Sequence, residues 1–338
     1  MAPTGEAQGP QPTVDASPAR RSTLRTLVKG VLPTRVLLWR RARHRLARPR
    51  YVDLHVVDHC NLDCRGCAHF SPLATKASII PVADLEASLR LLRPVYSRFF
   101  DSIHLLGGEP LLHPEIARIV RLTRGLFPDT ELRVVTNGVL LRSMDDDFWR
   151  TCQECDVVFD VSEYPIKLDY KATLKFVEER GVRYESGGRA DFFRHVCDPS
   201  GSQDARKSYA SCLYGGTCIQ LRGTRLYPCP RSAYSSYPNE AFGTDFRCEP
   251  GDYLDLMRPI SDEDFRRFVT QPKPFCRYCD VASETRIPWG RSHKACSEWL
   301  GDYWHEAPRD SCGSAPAHES GARGTLERVA PEHRGGSR

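Results

Sequence analysis

The sequence predicts an α/β protein, a partial (βα)6 barrel with a small cysteine-rich domain at its C-terminal end. Three observations carry this. Short β-branched runs alternate with helical patterns from residue 51 onward, as parallel βαβ units do. Two of these runs lead straight into loops that bear reactive groups, and in such barrels catalytic groups collect at the carboxyl ends of the strands. Cys212, Cys218, Cys229, Cys276 and Cys279 then follow in the last third of the chain. A length of 338 residues permits a catalytic domain plus a smaller one. The expected boundaries are a disordered tail and basic amphipathic segment over 1–50, the barrel over 51–205, the smaller domain over 206–305 and a second disordered tail over 306–338.

The elements come in order. Val52, Leu54 and Val56 alternate with Asp53 and His55, the pattern of a half-buried first strand. Residues 101–106, 131–135 and 156–161 read as the next three strands, and 182–184 as a short fifth. Between them, Val82, Leu85, Leu89 and Leu92 fall at helical spacing, as do Ile116, Ile119 and Val120 after Pro114 in a first turn. Further helices are expected over 144–155 and 170–180.

The first strand runs into Cys60, Cys64 and Cys67, a CxxxCxxC loop. Three thiolates at one site, with no fourth, would leave one iron of a four-iron cluster open to another ligand. Zinc is the alternative, with His69 turning back as a fourth ligand. The second strand runs into Gly107, Gly108, Glu109 and Pro110. The two glycines allow a close approach to the backbone, and Glu109 offers a carboxylate to a cationic group.

This pair of motifs resembles the radical S-adenosylmethionine (radical SAM) superfamily over roughly residues 51–190. The resemblance implies that Cys60, Cys64 and Cys67 hold a 4Fe-4S cluster whose open iron chelates the methionyl part of SAM. It implies that Gly107, Gly108, Glu109 and Pro110 receive the methionyl ammonium, and that Asn137, after the third strand, and Ser162, at the end of the fourth, contribute cofactor contacts. Many members carry an aromatic residue just before the third cysteine, where this chain has Gly66; Phe70 is expected to take over packing on the adenine. The implied chemistry is one-electron cleavage of SAM to methionine and a 5′-deoxyadenosyl radical that removes a substrate hydrogen atom, with a flavodoxin or ferredoxin as reductant. No catalytic side chain is assigned. Glu163, Tyr164 and Arg194 are nearby polar candidates whose plainer reading is surface or loop.

The five later cysteines resemble the auxiliary-cluster domains called SPASM or twitch, with Thr224 where the family's glycine usually stands. One auxiliary 4Fe-4S cluster fits the spacing better than two. Five cysteines compete for at most four iron positions, so at least one of Cys212, Cys218, Cys229, Cys276 and Cys279 should be unused. Structural zinc is again the alternative. Cys152 and Cys155 fall on an expected helix and read as core thiols, while Cys197, Cys248, Cys296 and Cys312 have no partner that spacing identifies.

The formal charge of +5 is uneven, because residues 20–50 hold eleven Lys or Arg and no Asp or Glu. This basic segment, with Leu24, Leu27, Val28 and Val31 at helical spacing and Val36 to Trp39 before an arginine run, could lie on an anionic membrane. Packing against the negatively charged body is the favoured reading, and nothing resembles a nucleic-acid-binding module. No signal peptide or membrane span appears. With oxygen-sensitive clusters, that suits the cytoplasm. The continuation Ala68 to Leu73 resembles radical SAM proteins of sugar, nucleotide-sugar and antibiotic pathways, and only eight of 48 basic residues are lysine, as in a GC-rich genome where such pathways are common. The substrate is therefore expected to be a sugar, nucleoside or nucleotide sugar. Maturation of a ribosomally made peptide is the second reading, and a zinc-binding interaction protein the non-enzyme one.

Overall fold

A computed structural model describes residues 33–46, 50–189 and 193–306. The expected helical spacing at 24–31, most of both expected tails and Cys312 lie outside the described residues.

Helix α1 (Thr34–Leu46) precedes a run of strands and helices: β1 (Tyr51–Val57), α2 (Val82–Phe99), β2 (Ser102–Gly107), α3 (Ile116–Leu126), β3 (Glu131–Thr136), α4 (Asp146–Glu154), β4 (Val157–Glu163), α5 (Tyr170–Glu179) and β5 (Arg183–Arg189). The five strands are parallel neighbours in the order β5-β4-β3-β2-β1. After β6 (Phe193–Cys197) and α6 (Ala205–Ser211), β7 (Ile219–Arg222) joins this sheet on the far side of β1, again parallel. The sixth parallel strand thus comes from the segment expected to form the smaller domain, and it lies beside the first strand rather than the fifth. Strands β8 (Arg225–Tyr227) and β9 (Leu254–Asp255) extend that edge antiparallel.

Helix α2 buries Leu85, Leu89 and Leu92 along one stripe, and α3 buries Ile116, Ile119 and Val120, the residues whose spacing marked them. Removing one such fully buried leucine side chain beyond Cβ costs about 2–5 kcal/mol. Strand β1 departs from expectation, because both of its faces are buried. Val52, Leu54 and Val56 belong to the main apolar core, whereas Asp53 and His55 are held by polar partners inside the molecule. Gln220 Nε2 donates to Asp53 Oδ2 at 2.6 Å, and His104 Nδ1 stands 3.3 Å from Asp53 Oδ1. A strand closed on both sides alternates in chemistry without alternating in exposure.

A second core gathers Phe70, Tyr234, Phe242, Phe246, Phe275, Tyr278 and Trp299. Beside it β10 (Cys279–Arg286) pairs antiparallel with β6. Phe70 therefore anchors the three-cysteine loop in this second core, and it is 2 % exposed. That burial corrects its expected place against an adenine ring. Helix α1 packs on α6: Arg41 Nε donates to the carbonyl of Ala210 at 3.2 Å, and the buried Arg45 guanidinium sits 4.0 Å over the Tyr209 ring. No helix among the described residues is long and apolar enough to cross a membrane.

Candidate active site and metal centres

The ends of β1, β2, β3 and β4 meet around a cavity of about 270 Å³. Its wall holds Cys60, Cys64 and Cys67 on one side and Gly107, Gly108 and Glu109 on the other, with Asn137, Ser162 and Tyr164 between them. Pro110 is buried behind the wall, at the start of a short helical turn. The glycines are demanded by geometry. A Cβ on Gly108 would stand 2.0 Å from the His59 carbonyl oxygen, and one on Gly107 would stand 1.9 Å from that of Val57. Only bare backbone lets the second loop lie against the first. Gly66 has φ +68°, a left-handed conformation that an aromatic residue would hold only with strain. Asp63 and Phe70 are left-handed in the same loop without being glycine, the sort of strain that persists where surrounding structure enforces it.

Glu109 is 1 % exposed. Its Oε1 accepts from Thr136 Oγ1 at 2.7 Å and from the Leu111 amide at 3.2 Å, and its Oε2 accepts from the Asn137 amide at 2.9 Å. Burial nevertheless holds its carboxyl up to about 7, against the pull of those donors. A carboxylate so furnished with donors and lacking a cation is suited to receive an ammonium group. Asn137 ties the site together, since its Nδ2 donates to Asn61 Oδ1 at 2.7 Å and reaches Cys60 Sγ at 3.8 Å. Burial raises the Cys60 thiol and pushes Cys64 up to about 12. Thiols gathered out of water resist ionising until a cation joins them, and a bound iron would supply that cation. The donor set therefore fits a cluster with one open position.

His69 lines the same cavity wall as the thiols, and its Nδ1 is taken up in a buried polar chain. Its Nδ1 meets His55 Nε2 at 2.7 Å, His55 Nδ1 meets Asp58 Oδ1 at 2.7 Å, and Tyr237 donates to Asp58 Oδ2 at 2.6 Å. Burial pushes His69 down to about 3; it would raise Asp58, but His55, Arg222 and Tyr237 together hold that group down to about 2. No three His, Cys, Asp or Glu side chains among the described residues converge on the spacing of a single bound ion.

The five later cysteines divide. The thiols of Cys212, Cys229, Cys276 and Cys279 lie around the Arg231 guanidinium, close enough to act on one another's ionisation. Cys218 lies at the margin of this group: Cys212 acts on its ionisation too, but its Sγ is 3.3 Å from the Tyr51 hydroxyl and near Asp53. Cys197, opposite Cys279 across β6 and β10, also borders the nest. Arg231 is 5 % exposed, and it reaches Cys212 Sγ at 3.9 Å. A guanidinium buried among thiols rather than carboxylates is costly unless those sulfurs carry negative charge, as thiolates bound to metal do. Cys152 and Cys155 are buried in the main core. Of the other polar candidates, Glu163 accepts from Ser186 Oγ at 2.7 Å, and Arg194 lies on β6 outside the cavity wall.

Two features had no signal in the sequence. The cavity wall includes His195, which is paired with Glu284, and Tyr214, both from beyond the five-strand run. In addition Trp289 donates from Nε1 to Cys64 Sγ at 3.2 Å, across 225 residues of chain.

The three-cysteine loop, the double-glycine turn and the strand ends that join them lie within a segment that matches a known family. Residues 54–178 match the profile of the Radical SAM superfamily. Over this segment the chain is similar to radical SAM domains. The matched superfamily is one of enzymes whose core uses a 4Fe-4S cluster and SAM. Among curated proteins it is similar to the GTP 3′,8-cyclase of Microcystis aeruginosa (strain NIES-843 / IAM M-2473), 35 % identical over 98 residues, or 28 % of this chain and 29 % of the relative. It is also similar to molybdenum cofactor biosynthesis protein 1 of Bos taurus, 32 % identical over 93 residues, or 27 % of this chain and 14 % of that one. The chain thus spans less than a third of the length of these relatives. Among solved structures, BtrN in complex with AdoMet and 2-DOIA aligns at a TM-score of 0.44 and 16 % identity, covering 69 % of this chain and 93 % of that one.

Proposed function

We propose that Cys60, Cys64 and Cys67 hold the SAM-binding 4Fe-4S cluster, that Cys212, Cys229, Cys276 and Cys279 hold an auxiliary one, and that the enzyme takes a hydrogen atom from a sugar, nucleoside or nucleotide sugar. The observation that carries the reading is the single cavity in which three thiols, the Gly107-Gly108-Glu109 turn, Asn137 and Ser162 meet. When bound, the cluster and SAM supply a carbon-centred radical. Glu109 would hold the cofactor's ammonium, the two glycines let the second loop lie against the cysteine loop, and Asn137 fixes the cysteine loop against the third strand. Tyr164 and Tyr214 close the cavity wall and help keep water from the reacting centre.

The nucleotide name of the cyclase relatives supports the substrate class over the aligned segment. The loop continuation Ala68 to Leu73 supports natural-product chemistry of the antibiotic kind, the radical SAM protein of tunicamycin biosynthesis being one similar case. The reductant would be a flavodoxin or ferredoxin, and the compartment the cytoplasm.

The test is formation of 5′-deoxyadenosine from SAM with nucleotide sugars, nucleosides or candidate peptides added in turn. The true substrate should accelerate it, because a positioned C–H bond captures the radical before futile quenching. Acceleration by a peptide and by no sugar or nucleoside would overturn the substrate class in favour of peptide maturation.

A further inference from the structure

The segment that follows β10 returns to the three-cysteine loop and clasps it. The Arg65 amide donates to the Gly290 carbonyl at 2.8 Å, and the Ser292 amide donates to the Asp63 carbonyl at 2.7 Å. Arg65 Nη2 donates to the Pro288 carbonyl at 3.3 Å, and Cys64 and Arg291 form an antiparallel bridge. Two indoles complete the clasp. Trp299 Nε1 donates to the Cys67 carbonyl at 2.9 Å, whereas Trp289 Nε1 donates to the Cys64 sulfur itself. The strap begins at Cys279, in the second thiol nest, so one strand and a few residues connect the two cysteine groups.

Trp289 differs from Trp299 in the atom it addresses. A hydrogen bond to a cluster-ligating sulfur withdraws charge from the metal–thiolate unit and favours its reduced, more negative form. A bond to a carbonyl only holds the loop. We propose that Trp289 is a positioning residue that raises the reduction potential of the SAM-binding cluster through Cys64, while Trp299 is the mechanical anchor of the strap. The strap brings this donor to a loop whose left-handed Gly66 position would strain an aromatic residue.

This rests on the reading that Cys60, Cys64 and Cys67 hold the cluster, and the experiment separates the two. Full-chain protein is reconstituted anaerobically as wild type, Trp289→Phe and Trp299→Phe, and the EPR signal that changes on SAM addition is followed against applied potential. A SAM-sensitive signal in wild type upholds the cluster reading, and its absence overturns that reading before either variant is compared. Given the signal, Trp289→Phe should be harder to reduce, with a midpoint below wild type, and Trp299→Phe should keep the wild-type midpoint even where it lowers thermal stability. An unshifted midpoint in iron-replete Trp289→Phe, or equal shifts in the two variants, overturns the proposal. Should Trp289→Phe fail to retain iron, wild type labelled with ¹⁵N-indole decides. A hyperfine coupling from one indole nitrogen to the SAM-sensitive cluster, retained in Trp299→Phe, supports the bond, and no coupling overturns it.

Discussion

The two cysteine groups are built on opposite plans. The first is a continuous loop at the end of β1, with three thiols on a cavity wall, a neutral indole donor behind Cys64 and a buried carboxylate across the cavity. The second is assembled from a helix C-terminus, a hairpin exit and a strand start, and it closes around a buried guanidinium. The difference teaches where each can react. An open wall with a carboxylate awaiting a cation suits a cofactor that binds and leaves, while a closed nest with its own fixed cation suits a cluster that only exchanges electrons or holds the fold.

Cys64→Ala should break that contrast most severely, abolishing SAM cleavage, whereas folded Cys276→Ala should retain some cleavage uncoupled from product. Product and 5′-deoxyadenosine measured together would show it, and equal complete loss in both folded variants would erase the distinction.

Glu109→Gln comes next. Without the buried negative charge, SAM affinity should fall by about 30- to 100-fold, the range for losing one side of a buried charge-assisted contact. The sign with pH follows from its carboxyl, held up to about 7 by burial. Below that value the free site carries a protonated Glu109 and must lose a proton to receive the ammonium. Wild-type affinity should weaken by up to about tenfold per pH unit on the acid side, and Glu109→Gln should be flat. By the same linkage, Glu109 favours the folded cofactor-free protein most at acid pH, and that contribution is lost as pH rises through about 7.

Arg231→Met should have a smaller effect of mixed sign. Before iron is loaded the buried charge is a burden, so the variant should be more stable than wild type by about 1–4 kcal/mol in thermal or denaturant unfolding. After loading, the variant should release auxiliary iron to a chelator faster. A variant less stable in both states would mean that Arg231 serves packing alone. Cys218→Ser should do least, leaving iron content unchanged within error, because that thiol is engaged by the Tyr51 hydroxyl at the margin of the nest.

Much of the barrel was legible because parallel strands buried by flanking helices impose period and spacing locally, as in Leu85, Leu89 and Leu92. The three-cysteine loop and the glycine turn were legible for the same reason, each being a continuous stretch at a strand end. What escaped depends on distant closure. Phe70 was expected at a ligand because its loop borders the cofactor site, yet the second core, built from residues beyond 230, claims it. His69 reads as a candidate ligand by spacing, and the bond of its Nδ1 to His55, fourteen residues earlier, has no mark in the sequence. That Cys197 lies opposite Cys279 turns on the β6–β10 pairing, which no spacing records.

The most direct test of the two-centre account is the iron and acid-labile sulfide content of anaerobically reconstituted protein, measured beside zinc. The account predicts about eight irons and eight sulfides per chain, falling to about four of each in Cys229→Ala and holding near eight in Cys218→Ser, as two four-iron clusters require. Stoichiometric zinc without sulfide, or equal loss of iron in both variants, would contradict it.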